Sequence, residues 1–283
     1  MTSVKPKVFP IIELIQKGTL YLSKAGISNA KLEIEWFLSH LLKCNRIDLY
    51  IRFDEPLYNP QIKELRQFLK RRKAREPFQY IIGLAPFFGR DYIVSPDVLI
   101  PRPETELLIE LIKKQQNINS CLEVGTGSGC IAITAALEMD EIDIMAIDIS
   151  SKALTIAKQN SNKYEINNIQ FLKMNFLEES PQRKFDIIIS NPPYISKKEM
   201  FHLKPELSFE PKIALTDNSD GLSFYDRFAE KVDQLLNKGG TMLLEIGHET
   251  DIHYLENIFS RRGYSICFHK DLQKIIRVAE ISI

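Results

Sequence analysis

The chain has 283 residues, enough for one large domain or two smaller ones. Hydrophobic residues make up 44% of it, and no apolar run approaches the ~18 residues that a membrane-spanning helix requires, so we expect no membrane partner. Its 37 basic residues are balanced by 37 acidic ones. Because binding to many nucleic-acid phosphates usually requires a basic excess, we expect no stable nucleic-acid partner.

The first ten residues and the four cysteines limit the classes of protein to which the chain can belong. The first ten residues contain no apolar stretch of the secretory kind, which favours a cytoplasmic protein. The four cysteines form no C-x-x-C pair, so we predict neither a metal site nor a disulfide framework.

Residues 1–75 have the pattern of helices alone. Apolar side chains recur at helical spacing in three stretches, and Pro60 takes an early position that favours the start of the third helix. We therefore predict a helical bundle without catalytic residues. The apolar positions are Ile11, Ile12, Leu14, Ile15, Leu20 and Leu22, then Leu32, Ile34, Phe37, Leu38 and Leu41, and finally Ile62, Leu65, Phe68 and Leu69.

Residues 76–103 differ from the bundle because proline and glycine interrupt short runs of β-forming residues. Two such runs lie at 92–94 and 98–100. We predict a β-hairpin linker over 76–103. It joins the bundle to a catalytic domain over 104–283, where helix formation resumes at Glu104.

The rest of the chain alternates strands and helices, which is typical of a mostly parallel sheet covered on both faces. The last two predicted strands are separated only by residues 271–273, so they should pair antiparallel. This is the α/β plan of a class I methyltransferase, a Rossmann-like, seven-stranded sheet with an antiparallel terminal hairpin, and it differs from a dehydrogenase plan. The strands are predicted at 121–124, 142–147, 169–173, 185–190, 241–246, 264–269 and 275–281, and the helices around 129–138, 151–161, 222–237 and 249–261.

A glycine-rich turn follows the first of these strands. Glycines at such a turn let a ligand approach the backbone closely, and Asp148 ends the next strand, where a carboxylate can accept both hydroxyl hydrogens of a ribose. The third glycine comes one residue earlier than in dinucleotide sites, and the carboxylate of Glu123 would repel a diphosphate. S-adenosylmethionine is therefore favoured over a nicotinamide cofactor. The turn comprises Gly125, Thr126, Gly127, Ser128 and Gly129.

Two residues after the third strand complete the predicted cofactor site. Asn175 is placed to hydrogen-bond the adenine edge, and Phe176 to pack on the adenine face. Plain core packing is the alternative for Phe176.

The tetrapeptide Asn191, Pro192, Pro193 and Tyr194 follows the fourth strand, at the same edge of the sheet as the glycine-rich turn. A planar amide or aryl amine is a poor nucleophile because its lone pair is delocalised. The side-chain oxygen of Asn191 and the carbonyl of Pro192 can accept its two N–H groups and so aim the nitrogen at a sulfonium methyl. Tyr194 can stack on the planar group. These four residues are the predicted catalytic and substrate-binding residues, and no histidine is assigned a role.

Three further segments point to one protein family more specifically than this tetrapeptide does. They are residues 75–83 (REPFQYIIG), 99–106 (LIPRPETE) and 210–222 (EPKIALTDNSDGL). With them, nearly the whole chain resembles the PrmC/HemK family of release-factor glutamine methyltransferases. The resemblance implies a five-helix N-terminal bundle that helps to dock the release factor. It also implies N5-methylation of the glutamine in the Gly-Gly-Gln (GGQ) loop of that factor, with S-adenosylhomocysteine as the other product. Relative to the family pattern, residue 175 is Asn where many relatives have Asp, and residue 176 is Phe where some have Trp.

The resemblance also assigns residues. It implies cofactor contacts for the turn from Gly125 to Gly129, Asp148, Phe176 and Asn191, and glutamine contacts for residues 191–194.

Three other functions stay open at this point. Enzymes that methylate a glutamine of a large-subunit ribosomal protein are similar in the catalytic domain but read P-R-S-P where this chain has residues 101–104 (PRPE). An enzyme acting on an exocyclic base amine would need a flipped or single-stranded base and basic channel walls. A catalytically silent binding protein would not need an intact tetrapeptide at residues 191–194, which is called the Asn191 loop below. We expect a monomeric enzyme that acts on release factors.

Overall fold

The computed structural model describes residues 9–139 and 141–283. The chain divides into two compact units, Met1–Gly83 and Leu84–Ile283, each of which is described by itself. The first eight residues of the predicted bundle lie outside the described residues. No helix among the described residues is both long enough and apolar enough to cross a membrane.

The first unit contains five helices in its described part, which confirms the predicted N-terminal helical bundle. Its centre is aromatic, since the ring of Phe37 stacks on that of Phe68 at 4.2 Å and Phe78 packs edge-on against Phe68. Two of the five helices, Arg46–Ile51 and Phe78–Ile82, are not visible in the apolar pattern of the sequence, because six and five residues are too few to show a helical period. The elements are β1 (Phe9–Pro10), α1 (Ile11–Lys24), α2 (Ala30–Leu42), α3 (Arg46–Ile51), β2 (Pro56–Leu57), α4 (Asn59–Lys73) and α5 (Phe78–Ile82).

The second unit is built on a seven-stranded sheet. Its strands are β5 (Ser120–Val124), β6 (Asp143–Asp148), β7 (Ile169–Lys173), β8 (Phe185–Ser190), β9 (Leu236–Glu245), β10 (Ser265–Lys270) and β11 (Ile276–Ser282). They are arranged in the order β10-β11-β9-β8-β5-β6-β7. Strands β5 to β9 run parallel, and β11 is antiparallel to both of its neighbours, which confirms the class I methyltransferase fold. The helices are α6 (Glu106–Ile112), α7 (Cys130–Glu138), α8 (Ser151–Lys163), α9 (Ser223–Leu235) and α10 (Ile252–Ser260).

The central strands are buried on both faces. In β8, Ile187, Ile188 and Ile189 are all fully buried, and they contribute alternately to two core clusters on opposite sides of the sheet. A parallel strand covered on both faces has a continuous apolar sequence, as β8 does. The polar residues that follow these strands therefore gather at the carboxyl edge of the sheet.

The segment predicted as a hairpin linker is only partly β-structure. β3 (Leu84–Phe87) and β4 (Arg90–Ile93) form an antiparallel hairpin. The predicted β-run at 98–100 is wrong, since no strand forms there and the backbone N–H of Ile100 donates to the carboxylate of Glu210 at 3.1 Å. Pro96 and Pro101 flank the run, and proline lacks the donor that strand pairing requires.

Candidate active site

The carboxyl ends of β5, β6, β7 and β8 open into a cleft with a cavity volume of about 280 Å³. Most of the residues predicted from sequence line it, although their individual roles stay predictions. Glu123, Gly129 and Tyr194 are not on its wall. The predicted residues on the wall are Gly125, Thr126, Gly127, Ser128, Asp148, Asn175, Phe176, Asn191, Pro192 and Pro193.

The glycine-rich turn presents bare backbone to the cleft. Gly127 has a φ of 55°, and no atom lies within 4 Å of the position where a Cβ would stand. That open space lets a ligand approach the turn closely. Gly129 is different, because a Cβ there would lie 3.1 Å from the Cβ of Ala157 on α8. Close packing of α7 against α8 therefore favours glycine at this position, and the predicted contact of Gly129 with the cofactor stays a prediction.

Asp148 is joined to the glycine-rich turn by hydrogen bonds. One carboxylate oxygen accepts from the N–H of Gly127 at 2.9 Å, and the other accepts from the N–H of Ser150 at 2.8 Å. Burial raises the pKa of Asp148, while these N–H groups oppose that rise. A carboxylate oxygen accepts more than one hydrogen bond, so Asp148 retains acceptor capacity for hydroxyl groups of a ligand.

Glu123 lies behind the turn. It is fully buried, and its Oε2 accepts a hydrogen bond from the hydroxyl of Thr126 at 2.5 Å. Its Oε1 has no hydrogen-bond partner. Burial raises the pKa of Glu123 to about 8. The side chain therefore supports the turn through Thr126, and its predicted contact with the cofactor stays a prediction.

Phe176, which follows β7, both packs in the core and lines the cleft, two roles that the sequence presents as alternatives. Phe176 is 3% exposed and its ring packs at 4.6 Å from that of Phe228, yet it also lines the cleft. The Oδ1 of Asn175 accepts from the N–H of Leu177 at 3.3 Å. Core packing thus holds Phe176 at the cleft wall.

The Asn191 loop is held by two side chains from distant parts of the second unit. The Nδ2 of Asn191 donates to the hydroxyl of Thr105 at 3.2 Å. The hydroxyl of Tyr194 donates to Oε1 of Glu245 at 3.4 Å. Burial raises the pKa of Tyr194, so its hydroxyl stays protonated at neutral pH. Tyr194 lines a second cavity of about 170 Å³, which shares Asn191 and Pro192 with the cleft.

The walls beside the Asn191 loop come from two of the family-like segments, 99–106 and 210–222. Arg102 forms an ion pair with Glu210 at 2.5 Å, and Glu210 is buried. The chain after the loop is fastened to the second wall, since the N–H of Ile195 donates to the carbonyl of Leu215 at 3.0 Å. The two segments therefore form a connected rim around both cavities.

A separate polar cluster lies on the β10–β11 hairpin, among residues that do not line the cleft. Cys267, His269 and Glu280 each have a side-chain atom that could bind a metal ion, and these three atoms lie within 4.8 Å of one another. The Nε2 of His269 is 2.6 Å from Oε2 of Glu280, an ordinary hydrogen-bond distance. The sequence predicts no metal site in this protein, and this stays a prediction.

Comparison with known proteins identifies the family. Residues 13–83 match the PrmC N-terminal domain, and residues 103–220 match the methyltransferase small domain. A release factor glutamine methyltransferase of Geobacter sulfurreducens is 35% identical over 269 residues, which cover 93% of each chain. The chain belongs to the release factor glutamine methyltransferase family. It is a methyltransferase, and the cleft beside the Asn191 loop is the candidate active site of this family member.

Other relatives are longer or share only the fold. A bifunctional methyltransferase of Rickettsia prowazekii is 37% identical, with 97% of this chain covering 57% of its length. A methyltransferase structure from Pyrococcus furiosus matches with a TM-score of 0.51 and 20% identity, covering 69% of this chain and 89% of that one. The catalytic domain of hMettl16, solved with the MAT2A 3'UTR hairpin 6, matches with a TM-score of 0.56 and 14% identity, covering 81% and 84%. At these identities the two structures support the fold alone.

Three residues of the site were not singled out as site residues in the sequence: Thr105, Glu210 and Glu245. Thr105 lies in segment 99–106 and Glu210 in segment 210–222, so their place in these two family-like segments is a signal for them. Glu245 lies within a predicted strand, 241–246, of mostly apolar sequence, and only the sheet order places it beside the Asn191 loop.

Proposed function

We propose that the protein transfers a methyl group from S-adenosylmethionine to the side-chain amide nitrogen, N5, of the glutamine in the GGQ loop of peptide chain release factors. Family membership over nearly the whole chain supports the substrate class. One structural observation supports the chemistry most strongly. The Asn191 carboxamide, oriented by Thr105, lines the same cleft as the Gly127 turn.

The residues of the cleft fit S-adenosylmethionine. The open backbone at Gly127 suits the close approach of the aminopropyl portion, and the carboxylate of Asp148 suits the ribose hydroxyls. Phe176 offers an apolar surface for the adenine. When bound, the cofactor supplies an electrophilic methyl group and leaves as S-adenosylhomocysteine.

The protein residues position the acceptor nitrogen instead of deprotonating it. The Oδ1 of Asn191 and the carbonyl of Pro192 accept the two N–H groups of the glutamine amide, which directs the nitrogen lone pair at the methyl carbon. The bound cofactor would supply the methyl group to this nitrogen, and the methylated nitrogen would then release one proton to water. The hydroxyl of Tyr194 is protonated and directed at Glu245, so it does not act as the base.

The deciding experiment compares three substrate classes in parallel. Purified release factor, large-subunit ribosomal proteins and nucleic acid are incubated with the enzyme and S-adenosylmethionine, and the products are digested and analysed by mass spectrometry. We expect one added methyl group on the glutamine of the GGQ loop. Methylation of a ribosomal protein or a base, with an unmodified release factor, would replace this proposal.

We further propose that the first unit docks the release factor, and that the protein acts as a cytoplasmic monomer. Several large apolar side chains of this unit are more than half exposed, and they are available to contact a partner protein. They are Leu20 at 57%, Ile47 at 67%, Ile51 at 71%, Phe53 at 51% and Tyr58 at 62%.

Deleting residues 1–83 is expected to lower kcat/KM on the intact release factor by about 100-fold or more, the factor that corresponds to an interaction of about 3 kcal/mol. The same deletion should lower kcat/KM on a free GGQ peptide by no more than about threefold. Both rates are measured with matched cofactor concentrations, and calorimetric cofactor binding controls for folding of the remaining unit. Equal losses on the two substrates would remove the docking role.

A further inference from the structure

We propose that Cys267, His269 and Glu280 form a zinc-binding site on the β10–β11 hairpin. The site is independent of the proposed function, since none of these three residues lines either cavity beside the Asn191 loop. The proposal would replace the sequence prediction of no metal site, which rests on the absence of a C-x-x-C pair.

The sheet brings the three side chains to one face of the hairpin. Cys267 and His269 are two residues apart on β10, and alternate residues of a strand point to the same face. Cys267 pairs directly with Glu280 on β11, so the side chains of these two residues also share a face. Glu280 is paired on its other side with Leu243 of β9. The backbone that carries Glu280 is therefore held between two neighbouring strands.

The distances from the sulfur atom suit a single metal ion. The Sγ of Cys267 lies 3.6 Å from Nε2 of His269 and 3.9 Å from Oε2 of Glu280. A tetrahedral zinc ion with its usual bond lengths places its sulfur ligand about 3.6 Å from a nitrogen or oxygen ligand. Two of the three separations therefore lie within about 0.3 Å of those in a zinc site.

The third separation indicates a proton in the place that the ion would take. The Nε2 of His269 is 2.6 Å from Oε2 of Glu280, whereas zinc would hold these atoms about 3.4 Å apart. Two lone pairs repel each other at such a short distance, so a proton lies between the two atoms in this arrangement. On binding, zinc takes the place of this proton, and the thiol of Cys267 releases its own proton. Both side chains are partly exposed, so rotation of the side chains can supply the added separation of about 0.8 Å.

A further residue orients the carboxylate of Glu280. The Nε2 of Gln115 donates a hydrogen bond to Oε1 of Glu280 at 3.3 Å. Oε2 is then the oxygen directed at both Cys267 and His269. Hydrogen bonds of this kind hold a ligating carboxylate in one orientation and increase its affinity for the metal.

The chemistry of the three ligands favours zinc. Thiolate and imidazole ligands suit zinc, whereas magnesium and calcium prefer carboxylate, carbonyl and water oxygens. Three protein ligands leave the fourth tetrahedral position to a water molecule. Within the described residues β10 pairs with β11 alone, at the edge of the sheet. An ion shared by the two strands fastens this edge, so zinc should stabilise the folded chain.

The first test uses cobalt(II) as a spectroscopic probe for the zinc site, on the full chain without a histidine tag. Cobalt bound to a thiolate has a charge-transfer band in the near ultraviolet, and we expect this band to saturate at one ion per chain. Zinc should displace the cobalt and remove the band. Cys267→Ser should abolish the band, whereas Cys44→Ser, at a partly exposed cysteine of the first unit, should leave it unchanged. No band in wild type, or an equal band in Cys267→Ser, would overturn the proposal.

The second test measures zinc affinity by calorimetry. We expect a Kd of about 1 µM or lower, which is weaker than in structural sites with four protein ligands. His269→Ala and Glu280→Gln should each raise this Kd by about 100-fold or more, because each removes a ligand. His253→Ala is the matched control. His253 lies 3.2 Å from Glu256 in an exposed pair on α10, and its loss should leave the zinc affinity unchanged.

Thermal unfolding separates the loss of a ligand from misfolding. With EDTA, His269→Ala and Glu280→Gln should unfold within a few degrees of wild type. Added zinc should raise the midpoint of wild type and His253→Ala, and should leave that of the two ligand variants unchanged. A wild-type Kd near 1 mM, or an unchanged Kd in both ligand variants, would indicate adventitious binding and overturn the proposal. The wild-type cobalt spectrum decides the question even where a variant fails to fold.

Discussion

Replacing Asn191 with alanine is expected to lower kcat by about 10²–10³-fold, the scale seen when one preorganised polar group is removed from a transition state. The substitution deletes the acceptor oxygen that directs the substrate nitrogen and breaks the bond to Thr105. The cofactor should still bind with a Kd within about fivefold of wild type, because the Gly127 turn and Asp148 are unchanged.

Single-turnover kinetics and calorimetry separate these two effects. The rate is measured with preformed enzyme–cofactor complex and saturating release factor, and the Kd for S-adenosylmethionine is measured on the free enzyme. Asn257→Ala makes the same chemical change at an exposed position on α10 and should leave both quantities unchanged. Lost cofactor affinity with intact turnover of bound cofactor would show that Asn191 binds the cofactor and does not position the glutamine.

The architecture of the second unit could be predicted because its core strands are long enough to have a pattern. The run of apolar side chains at 185–190 predicts a strand, and β8 (Phe185–Ser190) has those bounds. Once the strands are parallel, the carboxyl edge of the sheet is determined, and the Asn191 loop must lie there.

The beginning of β9 could not be predicted for a physical reason. The sequence predicts its start at 241, whereas the strand begins at Leu236. Gly239 and Gly240 lie in this stretch and are typical of turns. The strand accommodates them with an irregularity in its pairing to β8, between Phe185 and Ile187.

The sequence also does not predict the orientation of a side chain in a strand that is buried on both faces. Leu122, Glu123 and Val124 are all buried in β5, so alternation does not indicate which face of the strand Glu123 occupies. Its predicted place beside a ligand came from its position before the turn, and the structure puts its carboxylate behind the turn.

The contacts of Glu245 depend on sheet order. Fifty-odd residues separate it from Asn191 in the chain, and nothing in the local sequence of β9 indicates a polar network. The two residues become neighbours only because β8 and β9 are adjacent and in register. Sequence patterns predict which elements form, whereas such a network requires the pairing of particular residues between them.

Gly221→Ala is expected to reduce kcat by about 100-fold, the factor that a misplacement of about 1 Å costs a catalytic group. A Cβ at Gly221 would lie 2.2 Å from the carbonyl oxygen of Tyr194, a backbone atom that can move only with the Asn191 loop. Gly221 also has a φ of 85°, so alanine adds backbone strain of about 1–2 kcal/mol. Loss of kcat alone would not separate displacement of the loop from that strain.

Gly239→Ala provides the matched control. Gly239 has a φ of 78°, but a Cβ there would have no atom within 4 Å. It should therefore lower the free energy of unfolding by about the same 1–2 kcal/mol while leaving kcat within about twofold of wild type. Stability is measured by urea unfolding, and activity by methylation of the release factor at a temperature where both variants are folded. Equal kcat values for the two variants would mean that the position of Tyr194 does not limit methyl transfer. A selective loss at Gly221 would show that turnover depends on how the rest of the second unit holds this loop.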